Sequence, residues 1–200
     1  MSSTKIQPDI EKLRKAQYDI DPLFINRWSP RSFKADKEVP EDVLLSIFEA
    51  ARWAPSALNI QPWKFILART KKDREKFNSF IMEGNRIWCE KAPVLALIIS
   101  KKTNDKIGDN ATHAFDTGAA WGYLSLQASQ KGLITHPMGG FDREKAREVL
   151  NIPEDYAIHA VVAIGYQGEK EALPEKLQER EQPSDRRPLQ ESIHEGTFQP

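Results

Sequence analysis

The stretch from Ala92 to Ser100 constrains the fold most, because it is a continuous apolar run rich in Val, Leu and Ile. Such a run is typical of a strand that is covered on both of its faces inside a sheet. Its longest uninterrupted part, Val94 to Ile99, is far too short to cross a bilayer. We therefore place this strand at the centre of a sheet.

Other segments show the periodicity of helices or of further strands. Two further strands are predicted, over Lys64 to Ala68 and Ala157 to Tyr166. A loop with a possible lid role is predicted over Lys101 to Asn110, and an extended connector over Gln167 to Asp185. Apolar residues at helical spacing predict five helices, over Pro8–Tyr18, Leu23–Asn26, Pro40 to just before Pro55, Thr70–Met82 and Thr112–Lys131.

Composition limits the class of protein. The 200 residues favour one domain over 1–200, and the balance of 29 basic and 29 acidic residues disfavours a nucleic-acid partner. The lone Cys89 excludes an internal disulfide and fits a packing role in a reducing compartment. Met1 to Glu11 lacks the apolar core of a signal peptide, so we expect a cytoplasmic protein without a membrane segment. The four histidines show no metal-ligand spacing and no neighbouring serine or cysteine nucleophile, so no metal site or hydrolase site is predicted.

Two short motifs flank the helix that follows Pro40. In the first, Arg27, Ser29 and Arg31 alternate with other residues, so in an extended segment they face one way and offer donors to an anion such as phosphate. The second motif, residues 55–63, carries Ser56, Asn59 and Gln61, which suit the edge of a planar, amide-rich heterocycle. A flavin has both a phosphate tail and such an edge. Taken alone, however, the first motif also fits a solvated loop, and the second fits a capped helix end followed by a turn.

In this order and at this spacing, the two motifs resemble the nitroreductase family of FMN-dependent oxidoreductases. The matching positions are Arg27, Ser29, Arg31 and Phe33 of the first motif, and Pro55 to Trp63 of the second. A third match is the turn Pro137-Met138-Gly139-Gly140-Phe141, where adjacent glycines let backbone N–H groups approach a ring closely. A plain tight turn is the alternative there. Arg187 before Pro188 is a fourth, weaker match, with Arg186 beside it, and the resemblance implies that Arg187 holds the phosphate together with Arg27.

The resemblance implies an α+β fold with a central, mostly antiparallel sheet flanked by helices, assembled as an intertwined homodimer with FMN sites at the interface. Each site would take the arginine segment from one chain and the second motif from the other. Thr112 to Lys131 contains Asp116-Thr117-Gly118-Ala119-Ala120, similar to the family's dimer helix, although a core helix of the monomer has the same pattern. A tail from about residue 188 would pack on the partner subunit. The implied cofactor contacts are Arg27, Trp28, Ser29, Arg31, Pro55, Ser56, Ala57, Asn59, Gln61, Asn85, Pro137, Met138, Gly139, Gly140, Arg186 and Arg187.

The implied activity is reduction of nitroaromatics, quinones or similar electron-poor small molecules by NADH or NADPH, in a ping-pong cycle through FMN. The flavin carries the chemistry, so no acid or base is assigned, and Arg31 would stabilise the anionic reduced flavin. Three alternatives stay open: a non-catalytic FMN carrier, a specialised relative of the dehalogenase, flavin-fragmenting or azoline oxidase type, and a structural dimer whose arginines are only surface charge. No convincing match to the dehalogenase lid is found in the sequence.

Overall fold

Four antiparallel strands form the main sheet in the computed structural model, which describes residues 5–198. Their order is β1-β2-β6-β5, and β3 and β4 form a separate two-stranded hairpin. The strands are β1 (Trp63–Ala68), β2 (Val94–Lys101), β3 (Thr103–Asn104), β4 (Gly108–Asp109), β5 (Ile134–Met138) and β6 (Tyr156–Gly165).

Eight helices in the described part of the chain surround the sheet. Three short 3-10 turns, Ala57–Asn59, Lys170–Ala172 and Leu189–Glu191, complete the regular structure. The helices are α1 (Pro8–Glu11), α2 (Pro22–Asn26), α3 (Glu41–Arg52), α4 (Lys71–Asn78), α5 (Glu83–Cys89), α6 (His113–Gln130), α7 (Arg143–Val149) and α8 (Glu175–Gln178).

The central position predicted for β2 is confirmed. It pairs with β1 on one side and β6 on the other, and its residues from Val94 to Ser100 are all buried. Alternate residues enter two separate apolar clusters, one with Leu97 against Trp88 and Phe141, the other with Ile98 against α3 and α6. Both faces of the sheet are therefore covered, which explains why the strand reads as an unbroken apolar run.

Some predicted boundaries were wrong. The helix predicted over Pro8–Tyr18 is only the single turn α1, and the one predicted over Thr70–Met82 ends at Asn78. The predicted loop at Lys101–Asn110 contains the β3–β4 hairpin. Pro40 is the N-cap of α3 rather than its first residue, and α3 ends three residues before Pro55. Cys89 has no exposed surface, and burial raises the pKa of its thiol to about 12, as suits the packing role predicted for it.

One face of α6 is bare in the single chain. Phe115 is 81% exposed and Tyr123 is 46% exposed, and a Cβ added at Gly118 or Gly122 would meet no atom within 4 Å. These four residues follow helical spacing, so they form one strip along the helix. The contacts on every side that the sequence suggested are therefore absent within the described chain, where α6 packs with one face on the sheet and α3.

Within residues 5–198 no helix is long and apolar enough to cross a membrane. Residues 1–4 and 199–200, the two ends of the predicted single domain, lie outside the described residues. For residues 1–4 the prediction that no signal peptide is present therefore rests on sequence alone.

Candidate functional site

The arginine segment, residues 27–32, leaves α2 as extended backbone. Asp21 accepts a hydrogen bond from the N–H of Leu23, which fixes the start of α2 and brings Arg27 to its end. Arg27 donates to the Ser29 hydroxyl at 3.4 Å, and the Ser32 hydroxyl donates to the Glu169 carbonyl. The predicted alternation is confirmed for Arg27 and Ser29, which share one side of the segment.

Arg27 lies in an electropositive cluster with Arg14 and Arg186. The Arg14 side chain is buried and donates to the carbonyls of Ile25, Arg27 and Ser184 at 2.7 to 2.8 Å. Burial, followed by the charge of Arg186, lowers the pKa of Arg27. Among residues 5–198 no carboxylate forms an ion pair with Arg27. An anion placed against this cluster would supply the missing negative charge.

Arg31 is held differently, by Glu181 from the C-terminal part of the chain. The carboxylate is 8% exposed and accepts the backbone N–H groups of Arg31 and Ser32, at 2.7 Å and 2.9 Å to Oε1. Its Oε2 lies 3.9 Å from the Arg31 guanidinium. Burial and then Arg180 lower the pKa of Arg31, whereas Glu181 raises it. The backbone of the segment is therefore fixed by a residue of the predicted connector.

His136 on β5 also contacts the arginine segment. Its Nδ1 lies 3.0 Å from the carbonyl oxygen of Pro30, and its ring packs on Trp88 with centroids 4.5 Å apart. Burial lowers the pKa of His136 to about 4, and the charges of Arg31 and Arg27 act in the same direction. The ring is therefore neutral at neutral pH, so Nδ1 carries the proton that it donates to Pro30.

The second motif adopts a strained turn. Leu58, Asn59 and Gln61 all have φ between 51° and 55°, a left-handed conformation that is costly for residues other than glycine. Asp116 of α6 is buried and accepts the N–H of Ala57 at 3.2 Å, and the Ser56 hydroxyl accepts the N–H of Gln61 at 3.1 Å. These bonds hold the turn open to solvent, where Leu58 is 76% exposed.

The glycine turn presents free backbone donors. The Gly140 carbonyl accepts both the Met82 N–H and the Asn85 side-chain amide at 3.1 Å. Within the described chain the N–H groups of Gly139 and Gly140 donate to no partner, and a Cβ at Gly139 would meet nothing within 4 Å. A planar ligand could therefore approach Gly139 and receive hydrogen bonds from the turn.

The structure does not bring all the predicted site residues together in one chain. Arg27 and Trp28 line a cavity of about 130 Å³ with Ser125 and Ser129 of α6, whereas the second motif is bonded to Asp116 near the start of that helix. The rise of an α-helix places Asp116 and Ser129 about 20 Å apart. No hydrogen bond of the described residues joins the arginine segment to the second motif.

The remaining predicted contacts differ in burial, since Arg187 and Pro55 are exposed whereas Met138 lies in the core. Arg187 is exposed, with its guanidinium 3.8 Å from Glu191, and Pro55 is exposed at the end of α3. Pro137 and Met138 are the last two residues of β5 and pair with β6 just before the glycine turn. Asn85 lies in the first turn of α5, a helix that the sequence analysis missed.

A buried serine lies between two histidines, a contact that the sequence did not indicate. Ser100 Oγ is 2.7 Å from His113 Nδ1 and 2.6 Å from His159 Nε2. His159 is an extra residue in β6, because Ile98 pairs with Ala160 and Ile99 with Ile158, and this bulge directs its ring toward Ser100. Ser100 has no exposed surface, so substrate cannot reach its hydroxyl.

The antiparallel sheet, its helical layers and the three motifs define a flavoprotein-like α+β fold. The model of the nitroreductase family matches residues 25–88 and 81–166, which together span more than half of the chain. The protein therefore belongs to the nitroreductase family, and both this resemblance and the predicted α+β fold are confirmed.

Known proteins of similar sequence or structure agree. A crystal structure described as an oxidoreductase containing FMN is 43% identical, with a TM-score of 0.88 over 93% of this chain and 96% of that chain. An NADH dehydrogenase of Thermus thermophilus is 29% identical over 73% of this chain and 85% of its own length. An iodotyrosine deiodinase of Thermotoga neapolitana is 26% identical over 76% of this chain and 89% of its own length.

Three residues that shape the site escaped the sequence analysis in these roles. Glu181 was treated as part of a charged connector, Arg14 as part of an amphipathic helix, and Asp116 only as a member of the dimer-helix motif. Each acts on backbone groups far away in the sequence, so no local pattern marks it. A carboxylate in a segment dense in prolines and charges gives no signal of burial.

Proposed function

We propose that this protein is an FMN-dependent NAD(P)H oxidoreductase that reduces nitroaromatics, quinones or similar electron-poor small molecules by a ping-pong mechanism. The observation that carries the proposal is the unpaired guanidinium of Arg27 beside Arg14 and Arg186, within a family fold that also offers the free N–H groups of Gly139 and Gly140. The 43% identical neighbour described as containing FMN supports the same cofactor.

The residues present fit FMN. Arg27 and Arg186, with Ser29, would hold the phosphate, because neither guanidinium forms an ion pair with a carboxylate of residues 5–198, although Asp185 lies close enough to act on Arg14. Arg31 would lie near the ring, and the glycine turn and Asn85 would meet the ring edge. Bound FMN would supply hydride acceptance from the nicotinamide and hydride donation to the acceptor. The protein's own contribution is to position the ring and to provide donors where negative charge develops.

The proposed assembly is a homodimer with an FMN site at each end of the interface. Within one chain the arginine segment and the second motif meet α6 at different points along its length. The bare strip of α6, with Phe115, Gly118, Gly122 and Tyr123, permits close approach of a second helix. A second copy that packs on this strip would bring its Ser56, Asn59 and Gln61 toward the first copy's arginine segment.

A second candidate function is reductive dehalogenation, which the 26% identical deiodinase favours. Dehalogenation would use the same FMN site as the main proposal, and only the compound that accepts electrons from the flavin would differ between the two functions. The acceptor panel of the test below therefore includes 3-iodotyrosine. Turnover of this compound, with no turnover of quinones, would replace the main proposal by the second.

The test is anaerobic stopped-flow absorbance of FMN-loaded protein mixed with NADH or NADPH, and then with p-benzoquinone or a nitroaromatic. We expect rapid bleaching of the flavin band and recovery that depends on the acceptor. Tight FMN binding without reduction by either nucleotide would instead indicate a carrier. A purified protein that binds no FMN would overturn the proposal altogether.

Arg27→Ala is the companion variant. Since Arg27 has no carboxylate partner, its loss should weaken FMN binding at least tenfold while the fold persists. Arg69→Ala removes an exposed guanidinium that pairs only with Glu41 at 3.3 Å, so FMN affinity should stay unchanged. Retention of FMN by Arg27→Ala through dialysis would refute the phosphate role.

A further inference from the structure

A buried carboxylate in the C-terminal segment lies directly behind the proposed flavin site. Glu181 follows the last residue of the family match, Tyr166, by fifteen positions, so the family model says nothing about it. It is 8% exposed, while its neighbours in sequence, Arg180 and Gln182, are exposed. A charged side chain of this kind is rarely buried unless it is paired, and its partners therefore indicate its role.

Every hydrogen bond of the Glu181 side chain goes to the arginine segment. Oε1 accepts from the backbone N–H of Arg31 at 2.7 Å and from that of Ser32 at 2.9 Å, and Oε2 accepts from Arg31 at 3.0 Å. The next residue of the chain is paired, because Phe33 forms an isolated antiparallel bridge with Gln167 and the Ser32 carbonyl accepts the N–H of Gly168 at 2.9 Å. Among the described residues, however, these two N–H groups donate only to Glu181. The carboxylate thus satisfies the two N–H groups that precede this bridge and fixes the backbone at Arg31 and Ser32.

The same carboxylate partly neutralises Arg31. Its Oε2 lies 3.9 Å from the guanidinium, too far for a strong hydrogen bond but close enough for a sizeable Coulomb attraction in a partly buried setting. Arg180 opposes this effect from the same segment. Arg27, by contrast, has no such carboxylate. The two arginines of the motif are therefore in different electrostatic environments.

We propose that Glu181 positions the arginine segment and offsets the charge of Arg31, and so sets both the affinity for FMN and the reduction potential of the bound flavin. The inference rests on the proposed function, because it needs Arg31 to face the flavin ring. Glu181 touches Arg31 and Ser32 rather than the cofactor, so it acts as a positioning residue.

The decisive variant is Glu181→Gln, whose amide oxygen can still accept both N–H groups at the Oε1 position, while the charge and the weaker acceptor at the Oε2 position are lost. With Glu181 neutral, the positive charge of Arg31 is no longer offset, so the flavin should become easier to reduce. We expect about a tenfold shift of the equilibrium toward the reduced form, equal to about 30 mV for a two-electron couple. Arg31→Ala should lower the reduction potential, because it removes the positive charge. The double variant Arg31→Ala/Glu181→Gln should have a reduction potential close to that of the parent protein.

The measurement is a spectroscopic redox titration of the FMN-loaded proteins, with Glu179→Gln as the matched control. Glu179 is exposed two residues earlier, so its replacement should leave the potential unchanged. A purely structural Glu181 would give no shift in Glu181→Gln, and that result would overturn the proposal. So would a shift toward the oxidised form.

A second readout tests the positioning role. Glu181→Ala leaves both N–H groups without their acceptor, so FMN should bind at least tenfold more weakly than in Glu181→Gln, as measured by quenching of flavin fluorescence. Equal affinities in the two variants would refute the positioning role. If the parent protein itself binds no FMN, the proposed function fails first, and this outcome is distinct from normal binding with an unchanged potential.

Discussion

His136 shows how one side chain at the site links structure to pH. Its neutral ring donates to the Pro30 carbonyl and packs on Trp88 beneath the arginine segment. Burial of the ring away from water disfavours the imidazolium form, and so do the positive charges of Arg31 and Arg27. The folded protein therefore keeps this ring unprotonated at pH values at which the unfolded chain binds a proton.

This difference predicts a loss of stability in acid. The pKa of His136 is about 4 in the folded chain and about 6.5 in the unfolded chain. The contribution of His136 to the free energy of unfolding is therefore nearly constant above pH 6.5. As the pH drops from 6.5 toward 4, this free energy falls by about 2 to 3 kcal/mol. His136→Asn keeps a donor for Pro30 and removes the titration, so its urea unfolding free energy should fall less between pH 7 and pH 4.5.

His194→Asn serves as the control, because His194 is exposed near the C-terminus. It should show the same pH dependence as the parent protein. An equally steep fall in His136→Asn would assign the acid sensitivity to other groups, of which His159, also with a lowered pKa, is the first to examine.

Residues that act within a few positions of one another were predictable from the sequence. Arg27 and Ser29 share one side of an extended segment because side chains alternate, and this could be read directly. Glu181 could not be found in that way, since 150 positions separate it from Arg31. The pairing depends on a long connector whose course no local pattern specifies.

At the scale of elements, the misses have identifiable causes. β5 was not predicted because Pro137 interrupts its pattern, yet a proline is tolerated on an edge strand, and β5 is at the edge. α5 was missed because Gly84 and Asn85 weaken its helical propensity, and packing of Trp88 and Cys89 into the core outweighs this. The apolar run of β2, in contrast, left no ambiguity.

The contact between α5 and the glycine turn gives an element-level prediction. A Cβ at Gly140 would lie 2.5 Å from the Asn85 amide nitrogen, so Gly140→Ala must displace this side-chain amide and break its bond to the Gly140 carbonyl, which should cost about 1 kcal/mol of folding stability. Gly139→Ala meets nothing within 4 Å and should leave the stability of the FMN-free protein within about 0.5 kcal/mol of the parent. Thermal denaturation of the FMN-free proteins measures both.

FMN titration separates the two glycines further. Gly139→Ala adds a methyl group on the open side of the turn, where the proposed ring would lie, so it should weaken FMN binding although it folds normally. Equal stability of the two alanine variants would contradict the packing argument. Normal FMN affinity in both variants would exclude this turn as the place where the flavin ring binds.

At the scale of the whole molecule, the predicted layers are present, and the dimer remains a prediction. The sequence indicated that α6 needs a partner on every side, and the single chain covers only part of its surface. Small residues mark such a strip but do not say whether a helix of the same chain or of another copy will cover it. The sequence pattern alone therefore predicts which residues form the strip, but it does not predict what covers them.

Gly122→Glu tests the assembly. A charged side chain in the middle of the bare strip should prevent close packing of two copies, because it would bury an unpaired carboxylate. We expect a monomer by light scattering and at least a tenfold loss of FMN affinity. Lys72→Glu on exposed α4 is the control and should remain dimeric. A dimeric Gly122→Glu that still binds FMN would exclude this strip as the interface.

The bond between Glu181 and the arginine segment also has a consequence for biosynthesis. A ribosome adds about 5 to 20 residues each second, so about 8 to 30 seconds pass between the synthesis of Arg31 and that of its acceptor, 150 positions later. During this interval the emerging chain carries the arginine segment without the carboxylate that accepts its N–H groups. The arginine segment therefore gains this support only after Glu181 has been synthesised.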